Sequence, residues 1–315
     1  MYVDDPWSIW VGDPPTRAKN RAVLLLWWTA VGPPISWKKM QVGKVVKWIG
    51  AMVTLGPGSI MLGLGQDFLQ GMAEEVEVLA EMRVIPPARL RRLAGKAEWA
   101  AGIVPYLKAI IAPIWAALAD APRAGVGQCR VVHSLRWLQA FTRRRRGTMS
   151  RTFRPRERED VTAVILEFDA SPWGYGGALY QEGRPQAWFA EAVSKDDALR
   201  FDITVGDPKH QALLETLAIL IGIRLWLPKL IGARLCVIVR SDSQAALGAA
   251  LRLKSPSADI NTVVREMALD LAEGKYHIEI LEHMPGICNT VADVLSRWFQ
   301  PGVQRVVPSV LVGVG

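Results

Sequence analysis

Four carboxylates stand where a fold can aim them inward. Asp169 follows the apolar run Val161-Thr-Ala-Val-Ile-Leu-Glu-Phe168, and Glu215 sits in Gln211-Ala-Leu-Leu-Glu-Thr-Leu-Ala218. Asp242 ends Leu235-Cys-Val-Ile-Val-Arg-Ser241, and Asp293 lies in Asn289-Thr-Val-Ala-Asp-Val-Leu-Ser-Arg297. An acid inside an apolar segment is costly unless something positive meets it. A pair of hard divalent cations, Mg²⁺ or Mn²⁺, answers that need, because such ions take oxygen ligands and a few carboxylates each. Each aspartate taken alone also has an ordinary reading. Asp169 can close a turn, Asp242 can cap a helix, and Asp293 can complement a helix dipole. Glu215, flanked by Leu213, Leu214 and Leu217, has no such excuse.

The surrounding pattern supplies elements to carry these acids. Strands are expected over Val161–Phe168, Gly174–Tyr180 and Pro185–Ala190, the last two joined by a turn at Glu182-Gly183. Asp207 and Pro208 open a long helix that Pro228 stops near Leu227. A strand at Leu235–Arg240, helices at Asp242–Arg252 and Ser257–Glu273, a strand at His277–His283 and a helix at Thr290–Phe299 complete the run. The first half reads as helices over Arg17–Val31, Gln66–Met82 and Ala88–Ala101, with a third introduced by Gly102 and Pro105 and reaching Leu118.

The order of the acids and their settings resembles the ribonuclease H family over roughly Val161 to Phe299. The resemblance is carried by Phe168-Asp-Ala-Ser-Pro-Trp-Gly-Tyr-Gly-Gly-Ala-Leu179, Glu215, Ser241-Asp-Ser-Gln-Ala-Ala246 and His283-Met-Pro-Gly-Ile-Cys-Asn-Thr-Val-Ala-Asp-Val-Leu-Ser-Arg297. It is similar to the form found in retrotransposon reverse transcriptases. The resemblance implies an α/β fold, a ribonuclease H-like mixed five-stranded sheet with flanking helices. It also implies two metal ions about 3.5–4 Å apart. Asp169 would bridge them, Glu215 and Asp242 would each hold one, and Asp293 would complete a coordination sphere. His283 is the candidate for the family's accessory histidine, with a structural role at a strand end as the alternative. Asn289 would cap the last helix or sit near substrate. The implied substrate is an RNA:DNA hybrid, read by shape and 2′-hydroxyl contacts. A non-catalytic nucleic-acid-binding remnant and a DNA-cutting nuclease of the same fold are the competing readings.

Upstream, Tyr2-Val-Asp-Asp5 resembles the turn that presents a metal-binding carboxylate in reverse transcriptase palms. Ile35–Lys39 and Gly43–Gly50 are similar to the late-palm segment, and Leu93–Pro105 to the thumb and connection. Asp4 and Asp5 would be a vestigial polymerase metal site lacking its partner strand, so no DNA synthesis is expected. The implied division is a palm end over 1–60, a mostly helical thumb/connection-like region over 61–135, an arginine-rich linker over 136–160, the nuclease over 161–300 and a tail over 301–315. Other proteins of the same retroelement are implied as partners.

Half of the 315 residues are hydrophobic, enough for real cores. The formal charge is +8, and the span Arg136–Arg158, with nine arginines against Glu157, accounts for all of it. Arg143, Arg144, Arg145 and Arg146 at its centre are candidates for phosphate contact, with a solvated linker or a nuclear-localisation-like patch as the alternative. Six such contacts would give a log K against log salt slope of about −4 to −5. Cys129, Cys236 and Cys288 show no paired spacing, which argues against a zinc or disulfide framework. No signal peptide is read at the start. Pro105, Lys108 and Pro113 interrupt the longest apolar stretch, short of the roughly 20 residues a bilayer needs. A membrane partner is not expected, and an intracellular setting, cytoplasm or nucleus, is.

Overall fold

A computed structural model describes residues 7–32, 36–122, 124–145, 147–153, 162–230, 235–274 and 278–314. Asp4, Asp5 and Arg146 lie outside the described residues. In chain order the elements begin with α1 (Pro14–Val31), β1 (Val45–Trp48), β2 (Ala51–Gly56), β3 (Ser59–Leu64), α2 (Gln66–Ala80), β4 (Val84–Ile85) and α3 (Pro87–Ala101). They continue with α4 (Leu107–Ala119), β5 (Val126–Gly127), α5 (Val132–Thr142), β6 (Ser150–Phe153), β7 (Thr162–Ser171), β8 (Gly174–Gln181) and β9 (Arg184–Ala192). The last are α6 (Lys195–Phe201), α7 (Gln211–Leu230), β10 (Leu235–Ser241), α8 (Gln244–Arg252), α9 (Ala258–Ala272), β11 (Ile278–His283) and α10 (Thr290–Ser296).

Two compact units emerge, one of residues 1–66 with 150–155 and one of 67–149 with 156–315. In the first, β1, β2, β3 and β6 form an antiparallel sheet in that order. Helix α1 is capped by Asp13, whose Oδ1 accepts from the Thr16 N–H at 2.8 Å, and ends at Gly32 in a left-handed conformation. None of its residues is buried, despite Leu24, Leu25, Leu26, Trp27 and Trp28.

In the second unit, helices α2 to α5 bury Leu69, Met72, Leu93, Ile110, Leu138 and Phe141, all essentially inaccessible. Each such side chain contributes roughly 1.5–3 kcal/mol by leaving water. Glu75 of α2 ties this group to α3 by accepting from Arg92 and Lys96, both at 2.7 Å. The helical group is also joined to the later half of its unit. The buried Asn261 of α9 donates from Nδ2 to the Ala109 carbonyl of α4 at 3.4 Å.

The five-stranded sheet runs in the order β11-β10-β7-β8-β9. β10 is parallel to both β7 and β11, while β8 and β9 add antiparallel. The hairpin between β8 and β9 turns at Glu182 and Gly183, both at positive φ, as a two-residue turn of the primed type requires. Helix α7 covers one face with Leu213, Leu214, Ala218, Ile223 and Trp226, packed against Leu166, Phe168 and Val239. The Phe168 ring stacks on Trp226 with centroids 5.7 Å apart, and it occupies the space a side chain at position 222 would need, so Gly222 is there.

Three local expectations are corrected. Pro228 does not end α7, which carries it inside its last turn and runs to Leu230. Asp207 caps a short 3₁₀ turn over Pro208–His210, accepting from the Lys209 N–H, before α7 begins. The arginine-rich span is not one exposed linker. Its first part belongs to α5, with Leu138, Phe141 and Thr142 buried, and Ser150–Phe153 pairs with β3. Apolar residues between the arginines at helical and strand spacing take those stretches into folded elements. No helix among the described residues is long and apolar enough to cross a membrane.

Candidate active site

Asp169 lies near the carboxyl end of β7, between the buried Phe168 and Ala170. The parallel register pairs Glu167 with Arg240. Asp242 directly follows the carboxyl end of β10, the strand beside β7, and its charge acts on Asp169. Glu215 approaches from the first turns of α7 and Asp293 from α10. Four acids distant in sequence are thereby drawn to one end of the sheet.

Their surroundings differ. Asp169 is buried, 6% exposed. Its Oδ2 accepts from the Ser296 hydroxyl at 2.6 Å. Burial pushes its carboxyl up to about 7; the Ser296 hydroxyl opposes this, and the charges of Asp242, Asp293 and Glu215 add to the rise. Glu215 is half-buried, and burial likewise raises its pKa. Hydrogen bonds from Ser243 and Gln211 pull it the other way, with Asp242 adding repulsion. Gln211 holds both ends of that contact: its Nε2 donates to the Ala170 carbonyl at 2.5 Å and to Glu215 Oε1 at 3.1 Å. Asp242 keeps Oδ1 buried with no hydrogen-bond partner. Asp293 is more open, and its Oδ1 accepts from Arg297 Nε at 2.8 Å.

Several expected roles change here. Asp242 is not a helix cap, because Ser243 takes that position on α8 and accepts from the Ala246 N–H. Asn289 stands at the N-cap position of α10 without a side-chain cap hydrogen bond, and it is 1% exposed. Its Nδ2 donates to the Phe168 carbonyl at 3.1 Å and ties the start of α10 to β7. His283 ends β11, exposed, and donates from Nε2 to the Asp242 carbonyl at 3.1 Å. Arg143 is exposed and forms an ion pair with Glu77, while Arg144 and Arg145 are exposed beyond the end of α5. Sequence reasoning misses Gln211 and Ser296 as site residues. The first carries a signal, since residues four apart on a helix meet; the second meets Asp169 only through the fold.

The donor set suits hard divalent cations in kind: carboxylate oxygens, mutually repelling, with one buried acceptor unpartnered. A buried acceptor without a donor is costly, and a cation would satisfy it. The set is not closed. Among the described residues no group of three or more His, Cys, Asp or Glu side chains is near enough to hold one ion. Ser296 and Arg297 engage two of the acids instead.

No family model matches this chain and no curated protein matches it. Among solved structures, a foamy viral protease-reverse transcriptase in complex with an RNA/DNA hybrid is similar at 14% identity over 96% of this chain, with a TM-score of 0.39. This chain spans 34% to 52% of the length of such foamy viral chains. An N-terminal RNase H domain from Mycobacterium tuberculosis is similar at 18% identity, covering 42% of this chain and 95% of that one, with a TM-score of 0.32. RNase H1 from Halobacterium salinarum is similar at 13% identity, covering 45% and 98%, with a TM-score of 0.34. These likenesses are faint, and the chemistry assigned to this chain rests on its own carboxylates.

Proposed function

We propose that the sheet domain is a ribonuclease H-type nuclease of retroelement origin that hydrolyses the RNA strand of RNA:DNA hybrids. On this reading the upstream residues are the end of a reverse transcriptase palm followed by its thumb and connection. The observation that carries the proposal is the buried Asp169 at the end of β7, held by Ser296, with the charges of Asp242, Asp293 and Glu215 near enough to raise its pKa. Two bound Mg²⁺ or Mn²⁺ ions would supply an activated water and charge stabilisation at the leaving 3′ oxygen. The chain's own part is to hold its oxygens ready. Burial keeps Asp169 dry, Gln211 fixes the Glu215 carboxylate against β7, and the unpartnered Asp242 Oδ1 waits for a positive partner. Exposed Arg144 and Arg145 would meet phosphates, giving binding that weakens with salt.

A second reading, a nucleic-acid-binding remnant without activity, is favoured by the absence, among the described residues, of three acids closing on one point. Cleavage of a labelled RNA:DNA hybrid with Mg²⁺ or Mn²⁺, comparing wild type with Asp169→Asn, separates the two. Metal-dependent cutting of the RNA strand, lost in the variant, supports the nuclease. A folded wild type that binds hybrid and does not cut supports the remnant. Cutting of duplex DNA instead would point to a different nuclease of the same fold.

A further inference from the structure

We infer that Ser296 is a positioning residue that aims the Asp169 carboxylate for metal uptake, an inference resting on the proposed nuclease. Ser296 closes α10, three residues after Asp293, and is completely buried. Its hydroxyl lies 2.6 Å from Asp169 Oδ2 and 2.9 Å from the Asp293 carbonyl oxygen. A serine has one hydroxyl proton. The shorter contact, in the range of a charge-assisted O–H to carboxylate bond, takes it.

The hydroxyl cannot drift, because the backbone that bears it is held on two sides. The Ser296 carbonyl accepts from the buried Ser171 hydroxyl at 2.7 Å. Its N–H side abuts β8 at Gly176, where a Cβ would collide with Ser296 N and the Ala292 carbonyl. The same turn of α10 therefore fixes two acids at once: Asp293 by belonging to it and Asp169 by accepting from it. With Oδ2 oriented, Oδ1 and the outer lone pair of Oδ2 remain for a cation. The donated proton also favours the ionised carboxylate, the form that binds metal.

The test is calorimetric titration of the full chain with Mn²⁺, without substrate, for wild type and Ser296→Ala. Groups that orient a ligand typically change metal affinity 10- to 100-fold when removed. Mn²⁺ affinity is expected to fall about tenfold in Ser296→Ala, with hybrid cleavage recovering toward wild type once Mn²⁺ saturates. A merely structural serine would lower the melting temperature and leave Mn²⁺ affinity alone, and that result in a folded variant overturns the inference. If Ser296→Ala does not fold, Ser296→Cys, larger by the sulfur and with only a weak donor, is titrated in its place and read by the same two outcomes. A wild type that cuts hybrid while the variant keeps wild-type affinity sinks only the positioning role. A wild type that takes up no Mn²⁺ sinks this inference together with the nuclease.

Discussion

Arg297 Nε lies 2.8 Å from Asp293 Oδ1, four residues along the chain, so this acid is already engaged by a cation of its own helix end. Both side chains are more than a third exposed, and exposed pairs of this spacing are worth about 0.3–0.5 kcal/mol. Arg297→Ala should therefore leave stability nearly unchanged. It should tighten Mn²⁺ binding, because it releases a carboxylate and removes a positive charge from the site. Calorimetric titration beside a urea melt checks both, and weaker Mn²⁺ binding in the variant would reverse this account of the pair.

Asp169 should make the metal-free domain less stable as pH rises. Its folded pKa, about 7, is above its ordinary 3.8. Between those values the native state holds more protons than the unfolded chain, so stability declines with pH and the loss is complete above about 7. Asp169→Asn removes the effect. It should melt higher than wild type at pH 8 without metal, by roughly 1–3 kcal/mol, while losing cleavage. Mg²⁺ should raise the wild-type melting temperature and barely move the variant. Equal pH dependence in the two proteins would show that Asp169 is not the titrating group.

Gly176 permits the contact between β8 and α10. A methyl there meets the backbone of Ala292 and Ser296, atoms that cannot rotate away. Gly176→Ala is expected to cost about 1–3 kcal/mol as overpacking and to lower cleavage further by moving Asp293 and Ser296 from Asp169. Urea denaturation paired with a cleavage assay measures both; wild-type values would mean that α10 shifts freely without consequence.

Hybrid binding should carry a salt signature from the exposed arginines after α5. Each phosphate contact contributes a slope of about −0.9 in log K against log salt for a B-form duplex. The double change Arg144→Ala with Arg145→Ala should flatten the measured slope by about two such contacts. Fluorescence anisotropy of a labelled hybrid over a salt series reads it. An unchanged slope would place the phosphate contacts elsewhere on the chain.

Much of the second unit is legible in the sequence because its elements are locally dictated. The apolar runs with β-branched residues over 162–171 and 235–241 mark strands, Glu182-Gly183 marks a hairpin, and Ser257 caps α9. The arginine-rich span misleads for a physical reason. Its charges are conspicuous in sequence, whereas Leu138 and Phe141 between them find partners only once α2 to α4 are folded. Pro228 misleads because it lacks an N–H for the Arg224 carbonyl and so marks a stop locally, whereas α7 carries it in its last turn.

The four acids stand out in the sequence through their order and settings together, since each aspartate alone has an ordinary role. Which atoms meet them was decided only in three dimensions. Asp169 and Ser296 are 127 residues apart, and no periodicity links them. Their contact exists because Gly176 lets α10 press on β8, the strand paired with β7. Propensity and pattern act over a few residues, but the position of a carboxylate oxygen to a few tenths of an ångström is set by packing across the whole sheet.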